Sequence, residues 1–140
     1  MFGDKMKIPE IVKKAHKAAV AVRKNTYSPY SNFGVGSALV TSKNKIYFGT
    51  NIENASFGGT ICAERVAIVE AVKNGDKKFS HIVVVTDTPK LTPPCGFCRQ
   101  VMAEFFDDKT QIWLGNLKEI KSVYTFKELL PEAFGPKNLK

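Results

Sequence analysis

Hydrophobic residues recur along the chain with two different periods, which predict helices and strands in alternation. Apolar positions at three- and four-residue steps between residues 8 and 24 predict an amphipathic helix. Residues 82–85, Ile-Val-Val-Val, are wholly apolar and β-branched, which is typical of a strand buried on both faces of a sheet. The other predicted helices are residues 62–74, 95–106 and 126–130, and the other predicted strands are residues 34–41, 46–50, 111–114 and 123–125.

This order of elements predicts a single layered α/β domain that spans residues 1–140. Polar residues 42–45 predict a hairpin turn between the first two strands, so the five-stranded sheet is expected to be mixed. The length of 140 residues and 15.5 kDa suits one domain. A composition of 44% hydrophobic and 24% charged residues excludes a disordered tail, a collagen-like chain and a coiled coil.

The formal charge of +8 first suggests a nucleic-acid partner. The basic residues are scattered, however, and no dense basic run alternates with aromatic residues, so we expect no nucleic acid to bind. The longest wholly apolar run, residues 18–22, is too short to cross a membrane. The first ten residues are charged and contain no apolar run, which predicts no signal peptide, a cytoplasmic location and reduced thiols.

The three cysteines carry the first candidate chemistry. Cys95 and Cys98 form a C-x-x-C pair at a predicted helix start, which alone fits a redox pair, half of a zinc site or two buried residues. Cys62 stands at the start of the preceding helix, and one strand separates the two helix starts. Such a run brings both helix N-termini to the same sheet edge. Three thiolates with no apparent fourth ligand indicate a catalytic zinc ion.

Glu64 follows Cys62 by two positions and can reach the open side of such a site without binding the metal. A carboxylate beside a zinc ion can accept a proton from water and deliver it to a substrate. The simpler interpretation is a glutamate that the helix dipole favours. His16 and His81 lie outside both motifs, and we expect a solvated helix residue and a strand-edge residue.

Two motifs, Thr60-Ile-Cys-Ala-Glu-Arg65 and Pro94-Cys-Gly-Phe-Cys-Arg-Gln100, resemble the zinc motifs of the cytidine deaminase superfamily. The segments 27–33, 51–55 and 128–134 resemble those of its small homotetrameric members, which act on free nucleosides. The resemblance implies a three-layer α/β/α fold, a homotetramer and one zinc ion per chain held by Cys62, Cys95 and Cys98. It also implies that Glu64 moves protons while zinc-bound hydroxide attacks C4 of cytosine and ammonia leaves.

The same resemblance implies a nucleoside site. It assigns ribose binding to Asn51 and Glu53, whose side chains suit hydroxyl groups. It implies that Phe33 packs near the pyrimidine and that Phe134 reaches a neighbouring subunit's site. Ala55 belongs to the substrate loop, and the backbone N–H of Ala63 is expected to donate to the pyrimidine carbonyl. The implied function is hydrolysis of cytidine and 2′-deoxycytidine to uridine and 2′-deoxyuridine in pyrimidine salvage.

Some features leave alternatives open. Phe57 stands where many relatives carry Tyr, and the 57–59 segment also resembles blasticidin S deaminases, which lack the Asn-x-Glu-Asn segment. Nucleic-acid binding or editing and C-x-x-C redox chemistry are the alternatives from other classes. Arg65 and Arg99 follow the zinc cysteines, and we expect both to donate to thiolates, drawing negative charge from sulfur. A surface salt bridge is the alternative for Arg99.

Overall fold

The computed structural model describes residues 6–140 of the chain. Nine helices and strands of the described residues follow one another as α1 (Glu10–Arg23), β1 (Val35–Thr41), β2 (Ile46–Thr50), α2 (Ala63–Lys73), β3 (Phe79–Thr86), α3 (Gly96–Phe105), β4 (Gln111–Gly115), β5 (Ile120–Thr125) and α4 (Phe126–Leu129). Single 3-10 turns lie at Phe57–Gly59 and Pro136–Asn138. Only part of the charged N-terminal segment is therefore covered, since residues 1–5 lie outside the described residues.

The five strands form one mixed sheet in the order β2-β1-β3-β4-β5. Only the β3–β4 pair is parallel among the described strands, and the other three pairs are antiparallel. The hairpin between β1 and β2 accounts for the first antiparallel pair, as the sequence predicts. The predicted five-stranded mixed sheet is confirmed.

Alternating side chains cover the two faces of the sheet, and each face is packed against helices. Val40, Val83 and Trp113 belong to the buried cluster that includes residues of α1. The neighbouring positions Leu39, Ile82 and Ile112 pair in register and belong to the cluster that includes residues of α2 and α3. Because both faces are covered, the central strands are continuous apolar runs and the domain has the predicted three α/β/α layers.

Several boundaries differ from the prediction by a few residues. Pro9 caps α1 from outside and is not part of its first turn. Strand β3 begins three residues earlier than predicted, at Phe79, and ends one residue later.

The two histidines both have specific neighbours in the fold. His16 is not simply solvated, since its Nε2 lies 2.8 Å from the backbone oxygen of Asn116. The ring of His81 lies 6.0 Å from that of Trp113, centroid to centroid.

The topology places the starts of α2 and α3 at the same edge of the sheet. Strands β2 and β3 are each antiparallel to β1, so they point the same way, and each precedes one of these helices. Gly49 lets α2 lie against β2, since a Cβ there would stand 2.7 Å from the Ala63 oxygen and the Ala67 nitrogen. No helix within residues 6–140 is long and apolar enough to cross a membrane.

Candidate metal centre and active site

The first turns of α2 and α3 bring three cysteine sulfurs together. Cys62 is the N-cap of α2, Cys95 is the N-cap of α3, and Cys98 lies in the first turn of α3. The three Sγ atoms all lie within 4.8 Å of one another, and those of Cys62 and Cys95 are 3.9 Å apart. A tetrahedral zinc ion with bonds of about 2.3 Å separates two sulfur ligands by about 3.8 Å. The donor set and its spacing therefore fit zinc.

The local electrostatics favour a thiolate in this cluster. A hydrogen bond with Cys98 and the nearby guanidinium of Arg65 lower the pKa of the Cys62 thiol to about 5, against the effect of burial. The same hydrogen bond, together with burial, raises the pKa of Cys98. The positive ends of two helix dipoles meet here and add to the stabilisation of negative charge.

Glu64 lies in the first turn of α2, directly beside the cysteine cluster in sequence. Its side chain is almost wholly removed from solvent, with 4% of the residue exposed. Burial raises the pKa of its carboxyl group to about 7, and the charge of Cys62 acts in the same direction. Such a carboxyl group can exchange a proton at neutral pH, which a solvated glutamate does poorly.

Asn51 follows β2, and most of its side-chain hydrogen bonds hold neighbouring segments of the fold. Its Oδ1 accepts hydrogen bonds from Thr26 Oγ1 at 2.7 Å and from the backbone N–H of Val35 at 2.9 Å. Its Nδ2 donates to the Phe33 oxygen at 2.7 Å. Within residues 6–140, one N–H of the amide remains without an acceptor. The side chain thus holds the loop before β1 and keeps one donor for another group.

Glu53 is tied to the same loop. Its Oε1 accepts from the backbone N–H groups of Tyr30 at 2.9 Å and Ser31 at 3.2 Å, and its Oε2 accepts a short hydrogen bond from the Ser31 hydroxyl. The bond from Ser31, followed by those of the backbone, lowers the pKa of Glu53, so it is ionised at neutral pH. A carboxylate offers about four acceptor positions. One acceptor position on Oε2 is therefore left by the described residues.

The remaining predicted substrate residues lie around these groups or on the surface. Ala63 opens α2, so its backbone N–H belongs to the first turn, where no earlier helical carbonyl is available. Phe33 is 37% exposed, and Phe134 is exposed with its oxygen 2.9 Å from Gln100 Nε2. Ala55 is an exposed loop residue. Their roles toward a substrate stay predictions.

The two arginines that follow the cysteines differ sharply. Arg65 lies at the cluster, with its Nη2 3.5 Å from Cys62 Sγ. Arg99 does not, and its predicted bond to a thiolate is wrong. Its Nε donates to the Pro94 oxygen at 2.8 Å and its Nη1 to the Leu129 oxygen at 2.7 Å, so it joins α3 to the end of α4. Arg99 forms no salt bridge with any residue between 6 and 140, so the alternative finds no support there.

Three residues with a part in the site carry no prediction from the sequence. Thr26 donates a hydrogen bond to Asn51, and Ser31 donates one to Glu53. The only sequence signal for these contacts is that Thr and Ser carry hydroxyl groups. Phe97 stands between the cysteines of the C-x-x-C pair and stacks on Arg65. Phe57, which lacks a hydroxyl, packs edge to face with Tyr30 at a centroid distance of 5.9 Å.

The fold and the site together define a zinc-dependent hydrolase, since three thiolates fit the metal and a buried carboxyl group stands beside them. Residues 9–114 match the family model described as the cytidine and deoxycytidylate deaminase zinc-binding region. The chain belongs to this family.

Curated relatives and solved structures agree with this assignment. The chain is 48% identical to a cytidine deaminase of Halalkalibacterium halodurans, over 84% of the chain and 89% of the relative. It is 41% identical to one of Sporosarcina psychrophila, over 96% of each. A crystal structure of cytidine deaminase from Burkholderia pseudomallei superposes with a TM-score of 0.82 at 42% identity, covering 87% of this chain and 98% of that one.

Proposed function

We propose that this chain hydrolyses the C4 amine of cytidine and 2′-deoxycytidine, giving uridine or 2′-deoxyuridine and ammonia. One observation carries the proposal: three cysteine sulfurs lie within 4.8 Å of one another, and the buried Glu64 stands two residues after the first of them. The similarity to cytidine deaminases over most of the chain supports the choice of substrate. Pyrimidine salvage in the cytoplasm is the role that suits free nucleoside substrates.

The chain's own groups divide the chemistry between them. Cys62, Cys95 and Cys98 would hold a zinc ion, which would supply a Lewis acid that lowers the pKa of a water molecule toward neutrality. A carboxylate oxygen of Glu64 accepts one proton from the attacking water and delivers it to ring nitrogen N3. It then carries the second proton, from the new C4 hydroxyl, to the amine, so that the C4–N bond breaks and ammonia leaves. The backbone N–H of Ala63, in the first turn of α2, donates to the pyrimidine carbonyl and orients the ring.

The hydrogen bonds left open on Asn51 and Glu53 suit one sugar hydroxyl. The free N–H of Asn51 can donate to its oxygen, and the free position on Glu53 Oε2 can accept its hydrogen. A single hydroxyl that donates and accepts satisfies both groups at once. We assign the 3′-hydroxyl, because cytidine and 2′-deoxycytidine share it.

We also propose that the working form is a homotetramer whose subunits complete one another's sites. Phe57 and Phe134 are 74% and 56% exposed in the single chain, and Phe57 packs edge to face with Tyr30, which is 53% exposed. An exposed apolar patch such as that of Phe57 and Tyr30 is typical of interfaces between subunits. The cavity of about 870 Å³ between α3, α4 and the C-terminal segment is separate from the metal site, because none of the three cysteines lines it. Size-exclusion chromatography with light scattering tests the assembly.

The decisive experiment compares Glu64→Gln with Glu70→Gln. Both residues lie on α2, but Glu70 is exposed and pairs with Lys73 at 2.8 Å. Glu64→Gln should keep about one zinc per chain and lose turnover, measured as the absorbance change of cytidine, whereas Glu70→Gln should behave as the unmodified protein. Full activity of Glu64→Gln would contradict the proposed proton transfer.

A substrate panel tests specificity. Cytidine and 2′-deoxycytidine should react, and cytosine, the nucleotide monophosphate and blasticidin S should react poorly or not at all. Faster reaction of blasticidin S than of cytidine would assign the chain to the antibiotic-modifying group. Tight binding of an oligonucleotide that weakens steeply with salt would support the nucleic-acid alternative.

A further inference from the structure

Phe97 is an exposed aromatic residue in an unexpected place. It lies between the two cysteines of the C-x-x-C pair, in the first turn of α3, and 66% of it is exposed. Its ring faces the guanidinium of Arg65, whose central carbon lies 4.2 Å from the ring centroid. This distance is well inside the range of cation–π interactions. The contact therefore joins α3 to α2, the two helices that carry the three cysteines.

Arg65 makes few hydrogen bonds, and those are mainly to sulfur. Its Nη2 lies 3.5 Å from Cys62 Sγ, an ordinary distance for a sulfur acceptor, and 3.5 Å from the Thr60 oxygen, which is long for an oxygen acceptor. The guanidinium also interacts with Cys98. Its Nε is buried and, within residues 6–140, has no hydrogen-bond partner. A guanidinium has five N–H donors in a rigid plane, so these contacts alone do not fix its orientation. The stacked ring of Phe97 supplies the missing constraint.

We propose that Phe97 is a positioning residue that holds the Arg65 guanidinium against the Cys62 sulfur and so slows loss of the metal from the three cysteines. The ring lies against the guanidinium while the Nη2 atom stays within 3.5 Å of the Cys62 sulfur. A hydrogen bond from Arg65 draws negative charge from sulfur and compensates part of the net charge of a zinc ion with three thiolates. The same stack restrains the two helices relative to each other, which opposes separation of Cys62 from Cys95 and Cys98.

The proposal concerns the metal site alone, so it is tested on the zinc-loaded protein without substrate. Zinc release is followed by the absorbance of the chelator 4-(2-pyridylazo)resorcinol in excess. Phe97→Leu keeps an apolar side chain but removes the aromatic face, and should release zinc about threefold to tenfold faster. Phe97→Tyr and Phe97→Trp keep a face for the guanidinium and should release it at nearly the original rate. Phe48→Leu, at an exposed phenylalanine of β2 with no part in the site, should leave the rate unchanged.

A second series separates stacking from simple apolar cover or a contact between subunits. In an Arg65→Gln background, Phe97→Leu should add nothing to the rate of zinc release, because no cation remains to be held. Release from Phe97→Leu at the original rate, or an equal acceleration with and without the arginine, would overturn the proposal. If Arg65→Gln does not fold, the order of rates among the leucine, tyrosine and tryptophan variants decides alone. The zinc-release rates are measured without substrate, so they stand even if the protein does not deaminate cytidine.

Discussion

The proposed sugar contact of Glu53 makes a prediction that can be worked from its hydrogen bonds. In Glu53→Gln, the amide oxygen can still accept from the backbone N–H groups of Tyr30 and Ser31, as Oε1 does now. The amide nitrogen replaces Oε2 and can accept no hydrogen bond. The variant should therefore keep the two backbone hydrogen bonds of its loop, and it loses the acceptor that Oε2 offers to the Ser31 hydroxyl and to the 3′-hydroxyl.

The expected loss follows from the strength of one hydrogen bond to a charged group, about 1.5–3 kcal/mol. This corresponds to a decrease of about 10-fold to 150-fold in kcat/KM for cytidine and for 2′-deoxycytidine. The unmodified protein should lose about as much when the substrate is 3′-deoxycytidine. The two losses should not add, because each removes the same contact. Absorbance-monitored kinetics with both proteins and all three nucleosides give six values of kcat/KM, and the four for cytidine and 3′-deoxycytidine form the cycle.

The assignment would be refuted if Glu53→Gln reduced kcat/KM for 3′-deoxycytidine as much as for 2′-deoxycytidine. Ser31→Ala is the matched control for the loop, because it removes the hydroxyl that Oε2 accepts from and leaves the carboxylate in place. This variant should retain discrimination between the two deoxynucleosides. Equal discrimination by the unmodified protein and Glu53→Gln would also place the 3′-hydroxyl elsewhere.

Further predictions concern stability and the boundaries of the site. Gly49→Ala forces a Cβ to within 2.7 Å of the α2 backbone and should cost about 1–3 kcal/mol in the free energy of unfolding, whereas Gly58→Ala, with nothing within 4 Å, should be nearly neutral in the same thermal melts. Burial lowers the pKa of His81 below its ordinary 6.5, so the unfolded chain binds the proton first and stability should fall as the pH drops below 6.5 toward the lower folded pKa. Since Trp113 Nε1 donates to His81 Nδ1 at 3.0 Å, the fluorescence of this single tryptophan should change when His81 of the folded protein takes up its proton below pH 6.5. A signal that stays constant from pH 7 down to the onset of acid unfolding would contradict this. Arg99→Ala should lower the melting temperature and leave the rate of zinc release unchanged, because the partners of Arg99 are the backbone oxygens of Pro94 and Leu129. Faster zinc release from this variant would show that Arg99 does stabilise the metal site.

Features set by neighbouring residues in sequence could be predicted well. The cysteines at 62 and 95 cap their helices, and the order of strands and helices fixes which ends share an edge. Local periodicity and topology are therefore enough to bring three sulfurs together. The strand boundaries were harder to predict, because Phe79 and His81 lengthen β3 by pairing with β1 and β4 and not by an apolar pattern of their own.

Contacts between distant segments could not be predicted in the same way. Arg65 stands three residues after Cys62, and Arg99 stands one residue after Cys98. Only Arg65 turns toward a sulfur atom. Arg99 meets the Leu129 oxygen, 30 positions away, and nothing near it in sequence indicates that partner. Its direction is decided by how α4 packs on α3. Arg99 also lies four residues after Cys95, a spacing that shares a helix face, so helix phase alone does not place a side chain at the metal and the available backbone carbonyls decide.

The binding residues of this site are also structural residues, and this limits what substitution can separate. Asn51 uses its Oδ1 and one N–H to hold Thr26, Phe33 and Val35. Replacing it with alanine would remove these partly buried hydrogen bonds and displace the loop that carries the proposed aromatic contact. A loss of activity would then follow whether or not Asn51 touches the sugar. Changing the hydroxyl on the substrate removes one bond and leaves the loop intact, so nucleoside analogues distinguish binding from folding where a variant of Asn51 does not.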